Sequence, residues 1–299
     1  MERQTSWTQT QIWIMAARPK TLPAAIAPVL AGLGLAAHQG PIHWPTAGVT
    51  LLTALLLQIG VNFVNDVQDF EKGADTVGER LGPPRATALG LVTPQAMWRA
   101  TWLTFGLALA LGLYLVWVGG WPILAIGLSA ILAALAYTGG PYPLAYHGLG
   151  EVFVFLYFGL FAVVGTYWLQ RHAVTPLAWW AGAWLGLLNT GILTVNNYRD
   201  LANDAQAGKH TLAVRLGPQR TRRFYALLLG LPYLLPTVLV GLGRAPLGVL
   251  LVWLSAPMAA LAARAIGRLQ GRELNALLAL TGKLTLLYGG LLALGMLLF

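Results

Sequence analysis

Along this chain, polar residues are confined to short intervals between long apolar stretches. Nine stretches stand out, at 22–38, 44–65, 97–118, 121–137, 149–169, 176–198, 222–242, 246–266 and 280–298. A helix rises about 1.5 Å per residue, so runs of about 17–23 residues cross a hydrocarbon core of roughly 30 Å. In that medium every backbone N–H and C=O must find a partner inside the protein, which a helix achieves within one segment. The pattern therefore predicts an all-α membrane protein with nine transmembrane helices. No interval is long enough for a sizeable soluble domain, so residues 1–299 read as one integral-membrane domain. Ahead of the first run, Trp13, Ile14, Ala16 and Ala17 suit one face of a short interfacial helix.

Composition agrees: 57% of residues are hydrophobic and only 10% charged, against roughly 25% charged in a soluble domain. A net charge of +9 would suit a nucleic-acid binder, but the placement of the charge excludes that partner. With the N-terminus on the cytoplasmic side, all 19 Lys and Arg except Arg171 and Arg244 fall inside, as the positive-inside rule requires. Nine crossings then leave Phe299 outside. Trp44, Trp117, Trp121, Trp168, Trp179 and Trp180 gather at the predicted outer ends, where amphipathic rings form interfacial belts. Arg215, Arg220, Arg222 and Arg223 read as topology determinants and contacts to membrane-lipid phosphates. The absence of cysteine excludes disulfide and thiol chemistry. These features predict a plasma (inner) membrane protein whose functional face is cytoplasmic.

Against this background the acids are unusual. Seven of ten lie in two short stretches, Asn62 to Glu79 and Asn196 to Asp204, each at the end of an apolar run. A shift of 135 residues overlays them: Asn62 on Asn197, Asp69 on Asp204, Gly73 on Gly208, Thr76 on Thr211, Arg80-Leu81-Gly82-Pro83 on Arg215-Leu216-Gly217-Pro218, and Arg85 on Arg220. Asp66 and Asp200 are out of register by one residue. The runs preceding the two stretches have the same orientation, so the repeat, near 62–85 and 196–220, is parallel and brings both acid groups to one side of the membrane.

Carboxylates beside apolar segments are costly unless a cation compensates them. Asn62, Asp66 and Asp69 stand at i, i+4, i+7, and Asn196, Asp200 and Asp204 at i, i+4, i+8. On continuing helices each triplet shares a face, and like carboxylates one turn apart invite a divalent ion. Oxygen-only ligands select Mg²⁺, Mn²⁺ or Ca²⁺ over zinc. Mg²⁺ commonly takes one or two protein carboxylates and completes its octahedron with water and phosphate oxygens. Two facing acid groups thus suit two Mg²⁺ ions bridged by one diphosphate, with Asp66, Asp69, Asp200 and Asp204 as catalytic metal ligands and Asp75 as a further one. Arg199, Lys209 and Lys72 are candidates for direct phosphate contacts. Glu79 is as well explained by a solvated loop.

These residues carry a resemblance. The chain resembles the intramembrane aromatic prenyltransferases of the UbiA superfamily, through Asn62-x3-Asp66-x2-Asp69-x5-Asp75, Asn196-x3-Asp200-x3-Asp204 and Ala17-Arg18-Pro19-Lys20-Thr21-Leu22-Pro23. Tyr137-Thr138-Gly139-Gly140-Pro141-Tyr142-Pro143, followed by Gly148-Leu149-Gly150-Glu151, extends it toward the branch acting on 1,4-dihydroxy-2-naphthoate in menaquinone or phylloquinone biosynthesis. The resemblance implies nine helices around a central cavity and a polyprenyl (or phytyl) diphosphate held on Mg²⁺ by the paired Asp motifs. It implies that Asn62, Asn196, Lys209 and Arg199 touch the diphosphate and that Tyr137 and Thr138 lie near the substrates. It also implies that the naphthoate ring attacks C1 of the allylic donor with loss of CO₂. Residues 138–150 carry no Lys or Arg, so a cationic contact from that cap must come from another loop.

Further expectations concern single residues. Tyr137, Phe63 or Tyr198 could face an allylic cation, although packing is the commoner role of aromatics in membrane helices, and Arg18 or Lys20 could hold the naphthoate carboxylate, with anchoring at the interface the stronger alternative. Glu151 and His147 read as structural, and Gly32, Gly34, Gly289 and Gly290 as sites of close helix approach. Other readings are a different aromatic acceptor (4-hydroxybenzoate or homogentisate), a phospholipid head-group transferase, whose Asp-Gly-x2-Ala-Arg signature is absent, and an ion or metal transporter. Acids gathered at one face rather than mid-membrane disfavour the transporter.

Overall fold

A computed structural model describes residues 7–73 and 80–299. All regular elements among them are helical. Helix α1 (Gln9–Ala17) opens on a capping box formed by Thr8 and Gln11. It leads through a break at Arg18 and a turn at Pro19–Thr21 into α2 (Pro23–Ala37), with a bend of 51° between the two arms. There follow α3 (Trp44–Glu71), α4 (Pro94–Gly119) and α5 (Trp121–Thr138). Helix α6 (Gly150–Arg171) is interrupted by a π-turn at Leu156–Leu160. Then come α7 (Pro176–Arg199), α8 (Leu201–Gln206), α9 (Leu212–Gly241), α10 (Leu247–Ala265) and α11 (Leu274–Leu298).

Each predicted apolar run lies within or along one long helix, but not all nine helices have the character of a lone membrane span. Seven are long and apolar enough to cross, and the bent pair α1–α2 makes eight. Helix α7 falls outside that set although it has 24 residues. Its apolarity is diluted by Asn189 and by interspersed glycines and tryptophans. The reason is positional: α7 is wrapped by other helices, and Ala181, Trp184, Leu185, Leu188 and Val195 are fully buried. Apart from Pro176, Trp179 and Trp180 at its start, no residue of α7 is exposed, so most of the helix does not need a lipid-compatible surface. The predicted interfacial helix is present as α1, but it turns Ala16 inward and sets Trp13 edge-on against Phe63 of α3, with centroids 5.7 Å apart.

Small residues set the helix spacing. A Cβ on Gly34 would lie 2.3 Å from the Ala293 backbone, and one on Gly289 would lie 2.6 Å from the Ala27 carbonyl oxygen. These two glycines bring α2 and α11 into backbone contact. Gly32 meets Thr166 of α6 in the same way. Gly290 departs from expectation: nothing lies within 4 Å of a Cβ placed there. It sits on the α11 face turned away from α2 and has no role in close packing.

Polar anchors add direction to the packing. Asn189 Nδ2 donates to the carbonyls of Ala24 (3.1 Å) and Phe158 (2.6 Å), tying α7 to α2 and to the π-turn of α6. The π-turn leaves that carbonyl available, as such irregularities do. Trp44, Trp117 and Trp121, expected in an interfacial belt, are strongly exposed, and Trp44 opens the helix whose other end carries Asp66 and Asp69.

Replacing Gly289 by Val should force α2 and α11 apart and destabilise the protein by about 1–3 kcal/mol. Gly290→Ala should be neutral or slightly stabilising, since alanine is the better helix former. Thermal unfolding of the detergent-solubilised variants distinguishes the two; equal melting temperatures would contradict the α2–α11 contact.

Candidate active site

Helix α3 runs unbroken through Glu71, so Asn62, Asp66 and Asp69 do share one face. Asn62 does not point at an open space alone. Its Nδ2 donates to Ala17 O and Thr21 Oγ1, both at 2.9 Å, and thereby fixes the turn carrying Arg18. Asp66 is 1% exposed. Its Oδ2 accepts the Ala86 N–H and its Oδ1 the Thr87 N–H, each at 3.1 Å, so it fastens the loop that follows α3. Asp69 pairs with Arg85 of that loop, while its Oδ1 is buried with no hydrogen-bond partner among the described residues.

The second triplet departs from the expected continuous helix. The chain breaks at Asp200 (φ −94°, ψ 8°) and restarts as α8. Neighbouring side chains on a helix point in different directions, yet Arg199 grips Asp200 in a two-pronged ion pair, with Nε to Oδ1 at 2.9 Å and Nη2 to Oδ2 at 2.5 Å. The break makes that pairing possible. Arg199 also donates to Asn196 Oδ1 (2.9 Å) and Asn275 Oδ1 (2.7 Å), and Asn275 in turn donates to Leu81 O at 2.8 Å. Lys209 Nζ lies 3.7 Å from Asp204 Oδ1.

The repeat is visible in the turns that follow. Gly73 N–H donates to Phe70 O and Gly208 N–H to Ala205 O, equivalent bonds under the 135-residue shift. Both glycines adopt the left-handed conformation, with φ of 68° and 69°, which side chains disfavour. The symmetry then lapses: Arg85 reaches Asp69, whereas Arg220 is exposed.

Asp69, Asp200 and Asp204 line one small polar recess together with Arg18, Arg85, Arg199 and Lys209. The recess joins a cavity of about 400 Å³; Arg18, Asp69, Arg85, Asn196 and Lys209 belong to both walls. Below a polar rim of Asn65, Tyr137, Thr138 and Asn197, the cavity continues between apolar side chains of α3 to α7 such as Leu57, Leu113, Ile131 and Phe161. Arg18 sits at the rim in a left-handed conformation (φ 51°), which a non-glycine residue adopts only when the surroundings impose it. Its Nη2 is buried and has no hydrogen-bond partner among the described residues.

Some expected site residues lie elsewhere. Lys20 is exposed and lines neither space. Lys72 is also outside both, but its Nζ donates to Thr138 O and lies 5.0 Å from the Tyr146 ring centroid, so a loop near Asp69 supplies the cation that the cap lacks. Phe63 packs on Trp13, and Tyr198 accepts from Arg222 Nε at 2.7 Å. Of the three aromatics expected to face a cation, only Tyr137 lines the cavity; Phe153, Tyr157, Phe158 and Phe161 line it as well. His147 bonds Pro143 O and stacks on Tyr142 at 3.6 Å, as a structural residue would. Asp75, Thr76 and Glu79 lie outside the described residues. Asn65, Arg85 and Asn275 were not evident from spacing; the overlay of Arg85 with Arg220 and the adjacency of Asn65 to Asp66 were the available signals.

The donor set is oxygen-rich, and Asp69 Oδ1 is a buried acceptor without a partner among the described residues, so the residues fit a hard divalent ion. Among the described residues no three acidic or imidazole groups stand close enough to cage one unaided. That arrangement suits Mg²⁺, which relies on phosphate and water for most of its shell. Electrostatics points the same way. Burial, reinforced by the negative charges of Asp200 and Asp69, pushes the Asp204 carboxyl up to about 6, with Lys209 opposing. For Lys209, burial disfavours the ammonium, but Asp69 and Asp204 outweigh it and raise its pKa.

A family model described as the UbiA prenyltransferase family matches residues 25–287. The chain belongs to that family. Among UbiA relatives, it is 41% identical over 243 residues to a 1,4-dihydroxy-2-naphthoate octaprenyltransferase of Mycobacterium tuberculosis, across 79% of this chain and 82% of that protein. It is 41% identical over 234 residues to the Escherichia coli enzyme of the same name, across 76% and 75%. The Bacillus subtilis counterpart is 29% identical over 290 residues, across 96% and 92%. Among solved structures, a UbiA homolog from Archaeoglobus fulgidus bound to DMAPP and Mg²⁺ superposes with a TM-score of 0.68 at 15% identity, covering 96% of this chain and all (100%) of that one. The apo UbiA homolog from Aeropyrum pernix gives 0.70 at 16% identity, covering 91% and 98%. The helices described above are thus the UbiA fold.

A divalent ion held by Asp204 would compete with protons there, so Mn²⁺ or Mg²⁺ affinity of the substrate-free UbiA protein should fall as pH drops through about 6. Calorimetric titration between pH 8 and 5 measures it; an affinity independent of pH would remove Asp204 from the ion site.

Proposed function

We propose that this protein transfers a polyprenyl (or phytyl) group from its diphosphate to 1,4-dihydroxy-2-naphthoate, with loss of CO₂, in menaquinone or phylloquinone biosynthesis. One observation carries the reading: a recess holding three acids and five cations (Arg18, Arg80, Arg85, Arg199 and Lys209) opens directly into an apolar cavity. Such a space accepts both ends of an amphiphilic diphosphate. The acceptor assignment rests on the names of the relatives that are 41% identical.

Asp66, Asp69, Asp200 and Asp204 would hold Mg²⁺, two ions being the number that two acid groups bridged by one diphosphate call for. Asp69, Asp200 and Asp204 line the recess; Asp66 lines neither the recess nor the cavity, but each of its oxygens retains a second lone pair beyond its bond to the loop. When bound, Mg²⁺ supplies positive charge that offsets the charge growing on the leaving diphosphate. Arg18 lines the same recess with a guanidinium whose Nη2 has no hydrogen-bond partner among the described residues, and Lys209 adds an ammonium. Arg199 is committed to Asp200, Asn196 and Asn275 and acts by orienting the acid. Asn62 holds the Arg18 turn, and Asn196, Tyr137 and Thr138 line the space where ring and C1 meet. The C1–O bond breaks with its electron pair going to the diphosphate, the electron-rich ring forms the new C–C bond, and the ring–carboxylate bond breaks with its electron pair returning to the ring, which restores aromaticity and releases CO₂. The apolar walls exclude water that would otherwise capture C1.

The membrane arrangement belongs to the same proposal. We place nine crossings in one domain, with the acidic motifs repeated in parallel near 62–85 and 196–220 and α7 as the enclosed crossing. The N-terminus and the recess face the cytoplasm across the plasma membrane, as the distribution of Lys and Arg supports.

Purified protein offered a prenyl diphosphate, Mg²⁺ and each of 1,4-dihydroxy-2-naphthoate, 4-hydroxybenzoate and homogentisate should yield a product mass with the first, and none after chelation by EDTA. A product with another acceptor only, or full turnover in EDTA, would refute the reading. Asp204→Asn should lower kcat by at least about 100-fold, with a melting temperature close to that of the unaltered protein, because its ion pair is long at 3.7 Å. Retained turnover would exclude Asp204 from catalysis.

A further inference from the structure

Among the described residues, Glu151 is the one buried acid outside the two Asp motifs: it is 5% exposed, whereas Glu71 and Glu273 are exposed. A carboxylate buried within a membrane-spanning helix is costly and seldom retained without a task. Here the cost is reduced in two ways. Glu151 occupies the first turn of α6, where helix N–H groups favour negative charge. Its Oε1 accepts Asn197 Nδ2 at 2.9 Å. Its Oε2 is buried with no hydrogen-bond partner among the described residues. Thr190 Oγ1 holds the Glu151 carbonyl at 3.4 Å, and Gly150 lets the Tyr137 hydroxyl press against the start of α6, since a Cβ there would lie 2.9 Å from it.

The consequence falls on Asn197. Glu151 takes the NH₂ end of its amide, so the carbonyl end is left over. That Oδ1 has no hydrogen-bond partner among the described residues, and Asn197 lines the cavity beside Asn65, Tyr137 and Thr138. A carbonyl oxygen backed by a carboxylate repels a diphosphate, which offers only acceptors. It suits a hydroxyl donor on an otherwise apolar ring. We propose that Glu151 is a positioning residue that orients Asn197 so that its Oδ1 receives a hydroxyl group of the aromatic acceptor. The inference rests on the aromatic-prenyl-transfer reading and adds to it the feature that selects the acceptor.

Glu151→Gln tests it. Glutamine fills the same space, but its amide can turn either end toward Asn197, so the orientation is no longer dictated. The KM for 1,4-dihydroxy-2-naphthoate should rise about tenfold, while the KM for the prenyl diphosphate stays within about twofold. Naphthoates lacking either the 1- or the 4-hydroxyl, used as competitive inhibitors, should include one that the unaltered protein binds about tenfold more weakly than the full acceptor. In Glu151→Gln that ratio should shrink to about threefold or less. Should Glu151→Gln fail to accumulate, Asn197→Ser, which keeps a donor to Glu151 but loses the amide oxygen, should show the same acceptor-specific rise. An unchanged acceptor KM, or equal changes in both KM values and in the Mg²⁺ requirement, overturns the inference. Absence of turnover with any aromatic acceptor by the unaltered protein sinks the functional reading and this inference with it. Turnover with unaltered acceptor discrimination in the variant sinks this inference alone.

Discussion

Three carboxylates gathered at one end of a helix bundle repel one another, and the arrangement around them follows from that repulsion. Asp69, Asp200 and Asp204 each have a resident cation, in Arg85, Arg199 and Lys209. The pairs differ in kind. Arg199 clasps Asp200 through two short bonds and is itself locked by Asn196 and Asn275. Lys209 stands off from Asp204. Arg85 leaves one oxygen of Asp69 unserved. Neutralisation is therefore sufficient to keep the acids together but incomplete at Asp69 and Asp204. Those are the positions where a divalent ion adds most.

The remaining architecture holds these groups against one another across long stretches of sequence. Asn62 secures the Arg18 turn, Asp66 secures the loop bearing Arg85, and Asn275 secures both that loop and Arg199. Each is a polar side chain bonded to at least one backbone group, and in a low-dielectric setting such bonds are expensive to lose. The glycine contacts between α2 and α11 do the equivalent work for the apolar part, setting helix separation and so the width of the space between them.

Much of this was readable from residue order because it depends on local periodicity. Apolar runs placed the helices, Asn62, Asp66 and Asp69 fell on one face of α3, and the 135-residue overlay matched Gly73 with Gly208, which make the same turn. Features that depend on distant contacts were not readable. That Asp66 would spend its oxygens on Ala86 and Thr87, that Arg85 rather than Arg220 would reach an acid, and that Phe63 would face Trp13 all follow from how loops fold back. The break at Asp200 was hidden for a related reason: it accompanies an ion pair between sequence neighbours, whose side chains diverge on a regular helix. Gly290 shows the limit of composition, since a small residue in a membrane helix need not touch another helix.

The enclosed position of α7 has a consequence for how the protein is made. On the nine-crossing arrangement, this segment carries Asn189 and weak overall apolarity into a bilayer that would accept it only reluctantly on its own. Its preceding neighbour in the chain, α6, offers both the Phe158 carbonyl that satisfies Asn189 and the Gly159 surface that admits Gly186. During synthesis the two segments gain by leaving the translocon as a hairpin, the earlier one sheltering the later. The segment that leads into Asp200 thus depends on its pairing with α6 for the polar partner that a lipid environment would not supply.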